Sequence, residues 1–291
     1  MRLLNPSLLL PWSSYSDGDL DFDGVTTVAG IAPSSNVYTL TKDLNARDVT
    51  IRNGATVKCQ GFVISSRGLT IEGTGFLGCY GNNASGTVAG GAFSAVGTLS
   101  CTAAVGGTGR TTTGVGANGS GSGSNNVCSN GAGNGGAAGA QAGGTGNTTT
   151  SPAATAGSFR SLNFAFQRRL FGAGAANSTG GAGAGGCDIT AGSASSGGGG
   201  SSAPGCLILC EYLNNLGTII SVGGNGGNAI GTTGVAGGGG SGAGSYILIV
   251  TKLVINQGTL SNAGGTPGTG FNGGGSGISG AAGLSVIITA V

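Results

Sequence analysis

The sequence predicts an all-β chain built from short parallel β-solenoid rungs, joined by glycine-rich loops or by extended segments of polyproline-II geometry. Three observations predict it: a 20-residue repeat near the N-terminus, a 41-residue repeat near the C-terminus, and glycine at 68 of 291 positions.

In the first repeat, residues 48–61 (DVTIRNGATVKCQG) return as residues 68–81 (GLTIEGTGFLGCYG). Thr50, Ile51, Cys59 and Gly61 meet Thr70, Ile71, Cys79 and Gly81, while Val49 and Val57 meet Leu69 and Leu77. Val49 and Ile51 alternate with Thr50, and Ala55, Val57 and Cys59 alternate with Thr56 and Lys58. This is the period-two pattern of strands with one buried face, and Gly54 supplies the corner between them. Copies stacked as rungs about 4.8 Å apart set like over like. Cys59 and Cys79 are then expected inside and Arg52 over Glu72 outside. The competing reading is two unrelated hairpins that share a short motif.

Only 7% of residues are charged, against about 25% in ordinary globular chains. Glycine loses more backbone entropy on ordering than any other residue, so ordered glycine needs close backbone packing or φ/ψ values that it alone adopts. A solenoid with tight corners supplies this. So does a bundle of extended left-handed helices whose bare backbones meet and pair.

Composition divides the chain into an arm with an acidic turn (1–36), a β-solenoid module (37–81), a glycine-rich lobe (82–205) and a strand-plus-glycine repeat domain (206–291). In the last of these, residues 207–224 (LILCEYLNNLGTIISVGG) align with residues 248–265 (LIVTKLVINQGTLSNAGG). Each copy reads as strand, turn, strand and glycine tract, and LSVIIT at 284–289 closes the series. A fixed period marks units that bury their apolar faces against their neighbours, with the glycine tracts as excursions between them.

Several function classes are disfavoured. The net charge is +2, but the basic residues are scattered, whereas nucleic acid requires a clustered basic face. No apolar run reaches the roughly 20 residues of a membrane-spanning helix. The opening MRLLNPSLLLPW is interrupted by Pro6 and Pro11 and is followed by no small-residue cleavage site, so it reads as retained. Leu8, Leu9, Leu10 and Trp12 are expected either to dock against a partner or to fold over the chain's own domain. The seven cysteines form no C-x-x-C pair and the chain has no histidine, so no sulfur-based metal site is expected. The odd number leaves at least one free thiol unless a bridge joins two subunits.

Asp19, Asp21, Asp23 and Gly24 match the D-x-D-x-D-G opening of calcium loops. The twelfth position is Gly30 rather than Glu, so a solvated acidic turn or an acidic contact surface stands beside the calcium reading. Glycoside hydrolysis needs paired carboxyl groups. Beyond Glu72 the only acids are Asp188 and Glu211, and without histidine or a Ser/Lys constellation the chain reads as non-enzymatic; glycan hydrolysis by that pair is the residual alternative. The run 197–200 lacks the Lys-Ser/Thr of a phosphate loop. The island SFRSLNFAFQRRLF (158–171) places Arg160, Phe164, Phe166, Arg168 and Arg169 together, as a receptor contact for an acidic or sugar ligand. Alternatively, Phe164, Phe166 and Phe171 form an apolar plug of the lobe or of a subunit junction.

The stretch SDGDLDFDG followed by YTLTKDLNARDVTIRNGATVKCQGFVISSRGLTIEGTG resembles the N-terminal module of bacteriophage fibre and adhesin-like proteins. The resemblance covers about residues 16–81 and, more loosely, the C-terminal strand-plus-glycine pattern. It implies a virion-surface structural protein, often a homotrimer, and the glycine tracts are similar to the polyglycine-II tips of some phage adhesins. They depart from that pattern by alternating with true strands. The resulting expectation is a non-enzymatic fibre- or spike-type adhesin on the virion surface, docked through its arm to other virion proteins and contacting a host glycan or protein. The alternative is a capsid decoration, or cement, protein that stabilises the head. A bacterial or algal surface or ice-binding solenoid is a third option.

Overall fold

The structure is a computed structural model, and it describes residues 15–90, 106–118, 135, 141–143, 185, 187, 188 and 193–289. Among these residues all regular structure is β. The first six strands are β1 (Leu20–Phe22), β2 (Val37–Thr39), β3 (Leu44–Ile51), β4 (Thr56–Lys58), β5 (Ile64–Ile71) and β6 (Phe76–Tyr80). Two short ones follow, β7 (Cys187–Asp188) and β8 (Ala194–Ser195), and then the long β9 (Cys206–Asn215) with β10 (Thr218–Val222). The chain ends with β11 (Ile230–Gly231), β12 (Val235–Ala236), β13 (Ile247–Asn256), β14 (Thr259–Ser261) and β15 (Ser285–Thr289).

Two sheets, each parallel throughout, run the length of the stack. One has the order β1-β3-β5-β9-β13-β15 and the other β2-β4-β6-β10-β14. Each turn of the chain adds one strand to each sheet, an arrangement compatible with a β-solenoid. Both sequence repeats are registers of this stack. Val49, Thr50 and Ile51 pair with Leu69, Thr70 and Ile71, and Leu207 and Ile208 pair with Leu248 and Ile249. Inward side chains form columns of like residues, such as Leu20, Val49, Leu69 and Leu213 on one sheet and Tyr38, Val57, Leu77 and Ile219 on the other. The corner at Gly54 takes a φ of 78°, in the left-handed region where glycine has no Cβ penalty.

The sheets do not respect the compositional divisions. Strand β9 pairs with β5, and β10 with β6, so the 20-residue and 41-residue repeats form one continuous stack. Residues 20–31 likewise belong to the first rung. Strand β1 lies on β3, and Leu20, Phe22, Val28 and Ile31 join the core. The Phe22 and Tyr38 rings meet edge to face at 4.9 Å.

The glycine tracts leave the stack at the same corner of successive rungs, after β6, β10 and β14, and return at β9, β13 and β15. Their hydrogen bonds recur every third residue. The amides of Gly197, Gly200 and Ala203 donate to the carbonyls of Gly237, Gly240 and Ala243, and those of Gly223, Gly226 and Ala229 to Ala263, Thr266 and Thr269. Neighbouring positions of the same segment face other partners: Gly224 and Gly227 donate to Ser201 and Gly198, while the Asn225 carbonyl accepts from Ala84. Three directions in three residues is the period of an extended three-fold helix, whereas a strand alternates between two. At the far end of this lobe, Cys187, Ala194, Ala229 and Ala236 form a small apolar cluster against Phe271.

Candidate functional site

On the outer face of the stack, acidic and basic residues of successive rungs meet. Arg52 pairs with Asp21 and Glu72, each at 2.9 Å, and the Glu72 pair is the one the 20-residue register requires. Arg47 pairs with Asp19, and Arg67 with Asp48. Asp23 is occupied differently. The Thr26 and Val25 amides both donate to its Oδ1 at 2.8 Å, the Thr26 hydroxyl donates to Oδ2, and the Tyr38 hydroxyl lies 3.0 Å from Oδ1. The three carboxylates of the calcium-like motif are therefore spread over separate partners, and the geometry lends no support to a shared cation. Asp21 lies within β1, Asp19 just before it and Asp23 just after, where the chain turns and its own amides take up the carboxylate.

The amides of Thr26 and Val25 hold the Asp23 carboxyl well below the usual carboxylate range. Its pKa is depressed by folding, so the stability it contributes is present above the unfolded-state value near pH 4 and is lost as pH falls further. Urea midpoints measured from about pH 5 down to pH 2 are expected to fall for the parent and to fall less steeply for Asp23→Asn.

Sequence reasoning missed a cluster inside the stack. The Sγ atoms of Cys59, Cys79 and Cys206 all lie within 4.8 Å of one another, the sole such group of three or more potential metal ligands among the described residues. Cys59 follows β4 and sits one rung from Cys79 on β6, and Cys206, which opens β9 on the other sheet, reaches across to Cys59 at 4.0 Å. All three are free thiols in the core, at most 1% exposed. The Cys79 thiol donates to the Gly205 carbonyl at 3.3 Å. Contacts from the Cys206 and Cys59 thiols lower the Cys79 pKa against the opposing push of burial, and the Gly61 and Gln60 amides add to the lowering. Contacts with Cys206 and Cys79, together with burial, push Cys59 up. Although its contact with Cys59 acts downward, Cys206 is pushed up by Cys79 and by burial.

A cleft of about 350 Å³ is lined by Lys58, Gln60, Cys79, Tyr80, Asn82 and Asn225 among others. Lys58 Nζ stands 5.4 Å from the centre of the Tyr80 ring. The spacing signal for the cluster was half present, since Cys59 and Cys79 occupy equivalent repeat positions. Cys206 lies at neither repeat offset, and only the packing of one sheet on the other brings it in.

Leu8, Leu9, Leu10 and Trp12, and Arg160, Phe164, Phe166, Arg168 and Arg169, lie outside the described residues. Glu211 pairs with Lys252 at 3.2 Å on the sheet, while the Asp188 backbone pairs with Val235 in the glycine lobe. Among the described residues, no helix is long and apolar enough to cross a membrane. No family model, curated protein or solved structure matches the chain.

Proposed function

We propose that the protein is a non-enzymatic bacteriophage virion surface protein, a short fibre- or spike-type adhesin that mediates host attachment as a homotrimer. In this reading Leu8, Leu9, Leu10 and Trp12 dock it to other virion proteins. One observation carries the reading: glycine excursions leave a stack of rungs at one corner and pair with each other through backbone hydrogen bonds every third residue. Such a lobe is polyglycine-II-like and serves as a stiff mount for its turns. Ile230, Thr232 and Thr233 at one turn and Asn272 at the next are exposed there. A turn held by a rigid mount has little ordering entropy left to lose when it meets a host glycan or protein. Leu253 and Ile255, 54% and 57% exposed on β13, offer apolar surface to neighbouring copies.

The test is the position of the protein on an imaged virion, together with light scattering of the purified chain. A few dozen copies or fewer at the tail, and a trimer in solution, are the expected results. Copies in the hundreds spread over the head would replace the adhesin reading with that of a capsid decoration protein. A monodisperse monomer would remove the trimer.

A further inference from the structure

We propose that Cys59, Cys79 and Cys206 form a three-coordinate thiolate site for a soft monovalent metal ion, copper(I). The donor set is sulfur alone, and soft thiolate ligands select ions such as Cu(I) over hard cations. The spacing suits trigonal coordination: metal–sulfur bonds of about 2.3 Å at 120° put the sulfurs about 4.0 Å apart. The Cys59–Cys206 separation is 4.0 Å, and no sulfur pair in the cluster exceeds 4.8 Å. A side-chain shift of under an ångström therefore closes the site.

The coordination number separates copper from zinc. Structural zinc takes four ligands, and no fourth sulfur, carboxylate or imidazole joins this group among the described residues. The sulfurs are also shut off from bulk water, at most 1% exposed, so solvent is poorly placed to complete a tetrahedron. Copper(I) is satisfied by three sulfurs. Neighbouring positions in the same column show that sulfur is not a general requirement of the stack, since Leu40 is the rung neighbour of Cys59 and Ser221 is that of Cys79. Sulfur occupies the column at the two rungs that face Cys206.

Each thiol that ligates releases its proton as its bond to the metal forms, with no change of oxidation state.

The test is anaerobic titration of the reduced full-length chain with Cu(I) against a chromophoric Cu(I) chelator, followed by X-ray absorption at the copper edge. One equivalent held by three sulfurs at about 2.3 Å is expected. C59S, C79S and C206S are each expected to weaken retention at least ~100-fold, beyond the 10–100-fold typical of outer-shell changes. C210S, at a buried thiol outside the cluster, is expected to bind as the parent does. Circular dichroism identifies any variant that fails to fold, and the absorption spectrum of the parent stands without the variants. Failure of the folded, reduced parent to retain copper would overturn the proposal. So would a four-ligand or nitrogen/oxygen-containing copper shell, retention undiminished in folded C79S and C206S, or Zn(II) held as tightly as Cu(I).

Discussion

Gly239→Ala is expected to destabilise the protein by about 3 kcal/mol or more, at the upper end of what overpacking costs. A Cβ at this position would overlap the Gly198 carbonyl oxygen and carbon. Those atoms are backbone and cannot rotate aside as a side chain would. The Gly239 amide donates to the Gly227 carbonyl at 2.9 Å, and its carbonyl accepts from Gly268 at 2.8 Å. Moving the segment away to relieve the overlap therefore strains two further contacts. Denaturant midpoints with matched controls check the cause. Gly30→Ala meets nothing within 4 Å but carries a φ of +81°, so it is expected to cost about 1–2 kcal/mol through backbone conformation alone. Gly73→Ala has only Asn53 Oδ1 at 3.8 Å and is expected to stay within about 0.5 kcal/mol of the parent. Equal effects at Gly239 and Gly73 would mean that the glycine segments do not pack backbone to backbone.

The second large effect is expected at the joint between the two repeats. Ile208 on β9 is fully buried, paired on one side with Ile64 and on the other with Ile249. Ile208→Ala removes three carbons from a column that rigid neighbouring rungs cannot collapse to fill, at a cost of about 2–5 kcal/mol. Because β9 carries the sheet from one repeat to the other, the loss is expected to appear as one cooperative transition at a lower denaturant midpoint. Hydrogen-exchange protection is expected to fall together on β5 and β13. Two separate transitions, with β3 and β5 unaffected, would show that residues 37–81 fold independently of residues 206–291.

The parts of the stack legible in the sequence were those encoded within one rung. Alternation of apolar and polar residues fixes which side chains face inward, and the repeat offsets fix which rung meets which. Val49 over Leu69, Leu207 over Leu248 and Arg52 over Glu72 all follow from these two local rules. Where composition changes, pairing extends beyond what the local rules encode. The shift to glycine after residue 81 marks a departure from one corner of a rung, not the end of the sheets, which resume at β9 in parallel register. Asp19, Asp21 and Asp23 match a loop motif in letters, and in the structure Asp19 and Asp21 pair with Arg47 and Arg52 while Asp23 is held by the amides of its own turn.

The sequence by itself thus determined the all-β class, the period of the rungs and their inner and outer faces, because alternation and repeat length are properties of neighbouring residues. Tertiary structure alone decided how the glycine segments pair and that Cys206 meets Cys59 and Cys79. Glycine has no side chain to encode a partner, so its pairing is set by backbone hydrogen bonds among segments that the rungs bring side by side. The thiols converge because stacking within one sheet and packing between two act on residues 147 positions apart, a separation that neither repeat contains.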